Sequence, residues 1–179
     1  AAVYTQNLVK GAPILVTRKN ISDGIAQAVI CNSGNANTCN ADGEEKAQMM
    51  CDAAAKELGM NPDDVVVAST GVIGQVLPIE PILSALPTLA KALSADGSEN
   101  AAKAIMTTDT EVKNLAVEFE IDGKTVHIGG IAKGSGMIHP NMATMLSFIT
   151  TDASISPEAL NAALHEAVGV SFNMVSIDG

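Results

Sequence analysis

At 179 residues with a formal net charge of -10, the chain is long enough to bury roughly 70% of its unfolded surface, so its stability requires neither disulfides nor metal. Aromatic residues make up 2% of the composition against 47% apolar residues in all, which suits a helix-and-sheet core and leaves no platform for stacking bases. The negative charge repels phosphate and anionic membranes, so nucleic acid and membrane surfaces are disfavoured as partners.

Along the chain, Pro13 to Thr17 and Ile25 to Ile30 are short β-branched apolar runs separated by the turn formers of RKNISDG, and both read as strands. Asp42 stands three residues before Glu45 in a capping-box pattern. Ala47, Met50, Cys51, Ala54 and Leu58 then recur at helical spacing until Gly59, which predicts a helix stopped by glycine. DVVVAS, from Asp64 to Ser69, reads as a strand covered on both faces. A helix from about Pro78 to Leu93 carries the stripe Ile79, Ile82, Leu83, Leu86 and Leu89, with Pro87 expected to bend it. Ser98 is expected to cap a short helix ending near Met106. Val112 to Glu120 and Lys124 to Ile131 flank Asp122-Gly123, a hairpin signal.

Met145 to Thr150 reads as a strand, and Ser156-Pro157-Glu158 opens a last helix ending at Gly169. The hairpin argues against an all-parallel doubly wound sheet, so the expected fold is a layered α/β sandwich with mixed sheets. No repeat, linker or low-complexity segment divides the chain, and residues 1–179 are expected to form a single domain. The first residues, AAVYTQNLVKGAPILVT, lack a methionine, and the last, SFNMVSIDG, stop after an apolar stretch. Both ends suggest a portion of a longer chain.

The cysteines are odd in number, Cys31, Cys39 and Cys51, and show no CxxC spacing, so they read as reduced, buried thiols of a cytosolic protein. Neither a secretory leader nor an apolar run of membrane-spanning length is present, and the expected location is the cytoplasm. His127, His139 and His165 are scattered and offer no converging metal ligands; no metal site is expected, and none of the three is given a role.

Three glycine-rich stretches, CNSGNANTC, STGVIGQ and KGSGM, match neither the P-loop nor the dinucleotide-binding pattern. They can serve as tight turns with glycines at positive φ, or they can aim backbone N–H groups at a developing anion. The third leads through Pro140 and Asn141 to Thr144. On residue chemistry alone Thr144 is either a strand residue or a nucleophile. In the second case it needs a base, and an N-terminal threonine carries one in its own α-amine, whose pKa of about 7.7 to 8.0 lies close to working pH. That amine exists only if the Ala143-Thr144 bond is cut.

The run KGSGMIHPNMATML resembles the self-cleavage segment of the ornithine acetyltransferase (ArgJ) family. NLVKGAPILV, CNSGNANTC, STGVIGQ, MTTDT and SFNMVSIDG are similar to that family in the same order. The resemblance covers nearly the whole chain and implies an ArgJ/DmpA-like α/β fold of the self-processing type, cut between Ala143 and Thr144. Residues 1–143 would then belong to an α chain and 144–179 would begin a β chain, the pair assembling as α2β2. It further implies Thr144 as nucleophile, Thr70 and Gly71 as oxyanion hole, and Thr107 and Lys133 together with Thr144 in substrate binding. Lys133 by itself would read as a solvated surface lysine. The implied reaction moves the acetyl group of N2-acetylornithine to glutamate by a ping-pong route through acetyl-Thr144, in arginine biosynthesis, with no metal or organic cofactor. Acetyl-CoA is a further donor in part of the family, which sequence leaves undecided. The family also has a long second half that completes the substrate pocket and has no counterpart here. A self-processing amidohydrolase or aminopeptidase, and a binding domain without catalysis in which Thr144 is a strand residue, are the alternatives.

Overall fold

In the computed structural model, which describes residues 1–179, helices and strands alternate irregularly. They are α1 (Ala12–Asn20), β1 (Ala28–Asn35), α2 (Gly43–Leu58), β2 (Val65–Val72), α3 (Glu80–Lys91), α4 (Ser98–Ala104), β3 (Lys113–Ile121), β4 (Lys124–Lys133), β5 (Leu146–Thr151) and α5 (Pro157–Gly169). β1 and β2 form a parallel pair, while β3, β4 and β5 form an antiparallel sheet in that order, so the architecture is mixed α/β as expected. By contact density the chain falls into two compact units. One is Asn7–Ala95; the other is Asp96–Gly179 together with Ala1–Gln6. No low-complexity segment marks the boundary at Asp96, and composition alone therefore shows no division there.

In the Asn7–Ala95 unit, Pro13 to Thr17 is helical, not a strand. The β-branched run suggested extended backbone, but the buried positions are Pro13, Val16, Thr17 and Asn20, a helical spacing visible only when two polar residues are counted as core. Their polar atoms explain the burial. Thr17 Oγ1 donates to the Val67 carbonyl at 2.7 Å and accepts the Val67 N–H at 2.9 Å, so one hydroxyl does for β2 what a neighbouring strand would do. Asn20 Nδ2 donates to the Val65 carbonyl at 2.9 Å. β1 starts later than expected and runs on through the polar CNSGN, because its pairing with β2 from Ala28↔Val65 to Asn35↔Val72 sets its limits, not its hydropathy.

α2 matches its expectation and ends on Gly59 in the left-handed conformation, φ 71°. Its expected capping box does not form. The Asp42 carboxylate makes no cap hydrogen bond and instead pairs with Lys46 at 2.8 Å, one turn on. Val67 and Ala68 of β2, which point to opposite faces, are both buried, as a covered strand requires. α3 contains Pro87 without ending there. Ile79 and Leu86 are buried, but Leu89 of the expected stripe is exposed; after Leu86 the inward face continues at the half-buried Ala90.

In the second unit, α4 takes Gly97 as its N-cap and Ser98 as its first residue, so Ser98 does not cap it. The Asp122-Gly123 turn has φ of 51° and 73°, the double positive φ of a tight hairpin. It joins β3 to β4 in the register Ile121↔Lys124. β5 begins at Leu146, one residue later than expected, and pairs with β4 from Lys133↔Leu146 to Ile128↔Thr151. Ser156 caps α5 as predicted, its hydroxyl accepting the Ala159 N–H at 3.2 Å. No helix is long and apolar enough to cross a membrane.

The Thr17 hydroxyl can be tested directly. Thr17→Val keeps the shape but strands a buried N–H and carbonyl of Val67, which should cost about 2 to 4 kcal/mol of stability. Thr17→Ser should recover most of it. Urea denaturation of both variants measures the difference, and equal losses would show that packing of the methyl, not the hydroxyl, matters there.

Candidate functional site

The ends of β1 and β2 approach so closely that they require glycine. Gly34 pairs with Gly71, and a Cβ added at Gly71 would lie 2.2 Å from the Gly34 carbonyl carbon; Gly71 also has φ of 130°. Beyond the strands, the two loops are sewn together by asparagine amides. Asn35 Nδ2 donates to the Gln75 carbonyl at 3.1 Å and Asn40 Nδ2 to the same oxygen at 2.8 Å. Asn37, fully buried, donates from Nδ2 to the Gly43 carbonyl at 2.8 Å. Thr70, buried near the end of β2, and the exposed Gly71 are thus held on a rigid strand-to-loop junction. The asparagines look like turn formers in sequence, where nothing signals the amide contacts that hold this junction. A shallow groove lined by Asn32, Gly34, Gln75 and Pro78 lies beside it and includes neither Thr70 nor Gly71.

The other expected residues, Thr107, Lys133, Ala143 and Thr144, belong to the second unit. MTTDT, between α4 and β3, is zipped to the KGSG end of β4. Lys133 Nζ donates to Thr107 Oγ1 at 2.9 Å, the hydroxyls of Thr108 and Ser135 share a hydrogen bond of 2.7 Å, and Asp109 Oδ1 accepts the Gly134 N–H at 2.7 Å. Lys133 is only 4% exposed. The solvated-lysine reading is therefore wrong: the β4–β5 register and the MTTDT segment enclose the side chain.

Nothing in the sequence singles out Asp109, yet its carboxylate is fully inaccessible and also pairs with Lys113 at 2.8 Å. Burial by itself would raise its pKa. The hydrogen bonds from Lys113 and from the backbone N–H groups of Gly134 and Thr107 outweigh it and bring the pKa down to about 2. A buried charge with that many donors fixes the two segments relative to each other.

The chain between Lys133 and Leu146 is a wide connection whose two ends are paired. Gly134 opens it at φ of 154°, where a Cβ would lie 3.0 Å from Ile138, and the buried Ile138 anchors it. The Ala143 N–H then closes a turn onto the His139 carbonyl at 3.2 Å. Thr144 is exposed and lies outside β5, so it is not the strand residue that one reading required. Its φ of 61° is left-handed, as are those of Asn141 and Met142 at 67° and 61°, an outlier for a β-branched side chain. Thr144 thus sits in strained backbone two residues before β5, at the end of the connection that begins at Lys133.

His127 Nδ1 lies 2.7 Å from Asp152 Oδ2, a hydrogen bond that raises the imidazole pKa at an exposed position on β4. His165 Nδ1 lies 2.8 Å from the Asn161 carbonyl within α5. No group of three or more His, Cys, Asp or Glu side chains is arranged to hold a metal ion. All three cysteines are free. Cys51 is buried, and burial pushes its thiol up to about 11; Cys39 is exposed, contrary to expectation, because it lies in the loop after β1 at a φ of 62°.

Against known proteins, the family model described as the ArgJ family matches residues 1–179. The chain belongs to the ArgJ family. It is 53% identical over 180 residues to the arginine biosynthesis bifunctional protein ArgJ of Symbiobacterium thermophilum, covering 100% of this chain and 45% of that protein. It is 51% identical over 179 residues to the arginine biosynthesis bifunctional protein ArgJ 1 of Clostridium acetobutylicum, covering 99% of this chain and 44% of that protein. The chain therefore spans less than half the length of these ArgJ relatives. Among solved structures, it is similar to the arginine biosynthesis bifunctional protein ArgJ from Bacillus halodurans, with a TM-score of 0.74 and 43% identity over 80% of this chain and 76% of that one. It is also similar to the ornithine acetyltransferase complexed with ornithine from Mycobacterium tuberculosis, with a TM-score of 0.67 and 31% identity over 82% of this chain and 77% of that one. The ArgJ motifs coincide with the loops described above: STGVIGQ ends β2, MTTDT precedes β3, and KGSGMIHPNMAT joins β4 to β5.

Asp109 carries a pH signature. Because its folded pKa is lowered from 3.8 to about 2, the stability it contributes is fully present above the unfolded value and is lost as pH falls through the folded one. The amount is about 2 kcal/mol. Asp109→Asn should be less stable by about that much at neutral pH, and the gap to the parent should shrink steadily below about pH 4. Urea titrations at several pH values measure it; a gap independent of pH would mean that shape, not charge, holds the two segments together.

Proposed function

We propose that the full-length protein is a cytoplasmic glutamate N-acetyltransferase of arginine biosynthesis, and that it transfers the acetyl group of N2-acetylornithine to glutamate through an acetyl-Thr144 ester. The observation that carries this reading is the β4–β5 connection, which sets an exposed Thr144 in left-handed backbone on the same hairpin as a buried Lys133 hydrogen-bonded to Thr107. The family membership and the solved relative named as an ornithine acetyltransferase in complex with ornithine support the choice of substrate.

The chemistry begins with processing. Thr144 Oγ bonds to the Ala143 carbonyl carbon while the C–N bond breaks and the hydroxyl proton passes to the departing nitrogen. Water hydrolyses the resulting ester, leaving the Ala143 carboxylate on an α chain and Thr144 at the start of a β chain, which assemble as α2β2. The free amine then serves as base: it takes the hydroxyl proton as Oγ attacks the acetyl carbonyl and returns it to the amine of departing ornithine. Glutamate's amine then attacks the ester carbonyl carbon, the bond from that carbon to Thr144 Oγ breaks, a proton from the attacking amine passes by way of the Thr144 amine to Oγ, and N-acetylglutamate leaves. Following the family pattern, the Thr70 hydroxyl and the Gly71 N–H are assigned to the tetrahedral oxyanion. Lys133 and Thr107 are assigned to binding, since a buried ammonium is suited to a substrate carboxylate through a charge-assisted contact. No step needs a metal or an organic cofactor.

Intact mass of the full-length protein should show a fragment beginning at Thr144, and Thr144→Ala should remain one uncut, inactive chain. Acetylornithine should turn over only when glutamate is supplied. Splitting of the alanine variant would remove Thr144 as the nucleophile, and release of free acetate without glutamate would favour the hydrolase.

Lys133→Met should raise KM for acetylornithine by roughly 10- to 100-fold while saturating substrate still acetylates Thr144, because a carboxylate contact acts on ground and transition states alike. Steady-state kinetics with single-turnover labelling measure both. An unchanged KM would take Lys133 out of substrate binding.

A further inference from the structure

Residues 173 to 178 run back along the segment that leads to Thr144 and hold it at successive points. Asp178 Oδ2 accepts the Met137 N–H at 2.9 Å. Ile177 donates its N–H to the Ile138 carbonyl at 2.8 Å, within an antiparallel bridge between the two residues. Asn173 Oδ1 accepts the Asn141 N–H at 2.8 Å. The fit is close on this side: a Cβ at Gly136 would lie 3.2 Å from Asp178 Oδ2. The last of these contacts falls inside the turn from His139 to Ala143, where Asn141 and Met142 are in left-handed backbone, as is Thr144 just after it.

Asparagine tolerates that conformation, whereas Met and above all the β-branched Thr keep it only where their surroundings impose it. Asn173 grips one of the left-handed residues directly, at the N–H of Asn141. The φ of Thr144 is a torsion whose first atom is the Ala143 carbonyl carbon, so breaking the Ala143-Thr144 bond abolishes the torsion and the strain with it. A clamp that sustains the strain in the uncut chain therefore raises the ground state of the cleavage step and leaves its product relaxed.

We propose that Asn173 and Asp178 are positioning residues for self-cleavage. They hold residues 137 to 141 from the far side of the scissile bond, so that the turn at His139 to Ala143 keeps Thr144 strained before the cut. The same contacts join the two fragments after it. This rests on the reading of Thr144 as the self-cleaving nucleophile, but it assigns the timing of the cut to side chains that take no part in the chemistry.

The test follows processing of newly made full-length protein by intact mass over time. Asn173→Leu, which removes the acceptor at similar size, should slow the appearance of the Thr144 fragment by about tenfold or more, the equivalent of about 1.4 kcal/mol in barrier. Asn173→Asp, which keeps an acceptor oxygen, should process at close to the parental rate. In a Thr144→Ala background, where cutting cannot interfere, the thermal midpoints of both variants should match that of Thr144→Ala alone. Should Asn173→Leu fail to fold there, Asn173→Ala and Asp178→Ala carry the same expectation. Parental processing in every acceptor-less variant overturns the clamp, as does slowing that Asn173→Asp fails to rescue. If the parent itself yields no fragment beginning at Thr144, the nucleophile reading falls, independently of the clamp.

Discussion

The register that sets Lys133 opposite Leu146 is the constraint on which the antiparallel unit turns. A strand pair that begins there leaves the intervening residues as a wide connection with both ends pinned. Asn141, Met142 and Thr144 lie within it in left-handed backbone. A slip of one residue would invert the face of every β5 side chain, and would move Thr144 relative to Lys133.

Polar side chains do much of the work that backbone ladders do elsewhere. Thr17 satisfies both backbone groups of Val67, Asn20 reaches Val65, Asn35 and Asn40 hold the loop after β2, and Asp109 binds the N–H groups of Gly134 and Thr107. The first two lie along the edge of β2 that no strand pairs and the others in or beside the glycine-containing loops, where backbone groups would otherwise be unpaired, and a buried unpaired group is costly. The result is that the loops bearing the proposed site residues are tied down by side-chain hydrogen bonds. Asn173 and Asp178 extend the same device to the segment before Thr144.

The electrostatics follow the same division. The low pKa of Asp109 arises from donors fixed by the fold, whereas His127 and Asp152 pair at the exposed end of the sheet, where solvent screens the interaction. Only the first can make stability depend strongly on pH.

What the residues determined by themselves was local. The 3.6-residue spacing of α2 with Gly59 at its end, the Asp122-Gly123 hairpin and the Ser156 cap were legible because each depends on neighbours in sequence. The motif around Thr144 was legible as a family resemblance. Tertiary structure alone decided that Pro13 to Thr17 is a helix, since the stabilising partners of Thr17 and Asn20 lie on β2, some 50 positions away for Thr17 and 45 for Asn20. It alone buried Lys133 and enlisted Asp109, because enclosure depends on which segments meet, and sequence carries no term for that. The strain at Thr144 likewise belongs to no residue in the motif. It is imposed by hydrogen bonds that arrive from 32 and 41 positions downstream, at Asn141 and Met137, and a conformation sustained by distant contacts cannot be read from the segment that bears it.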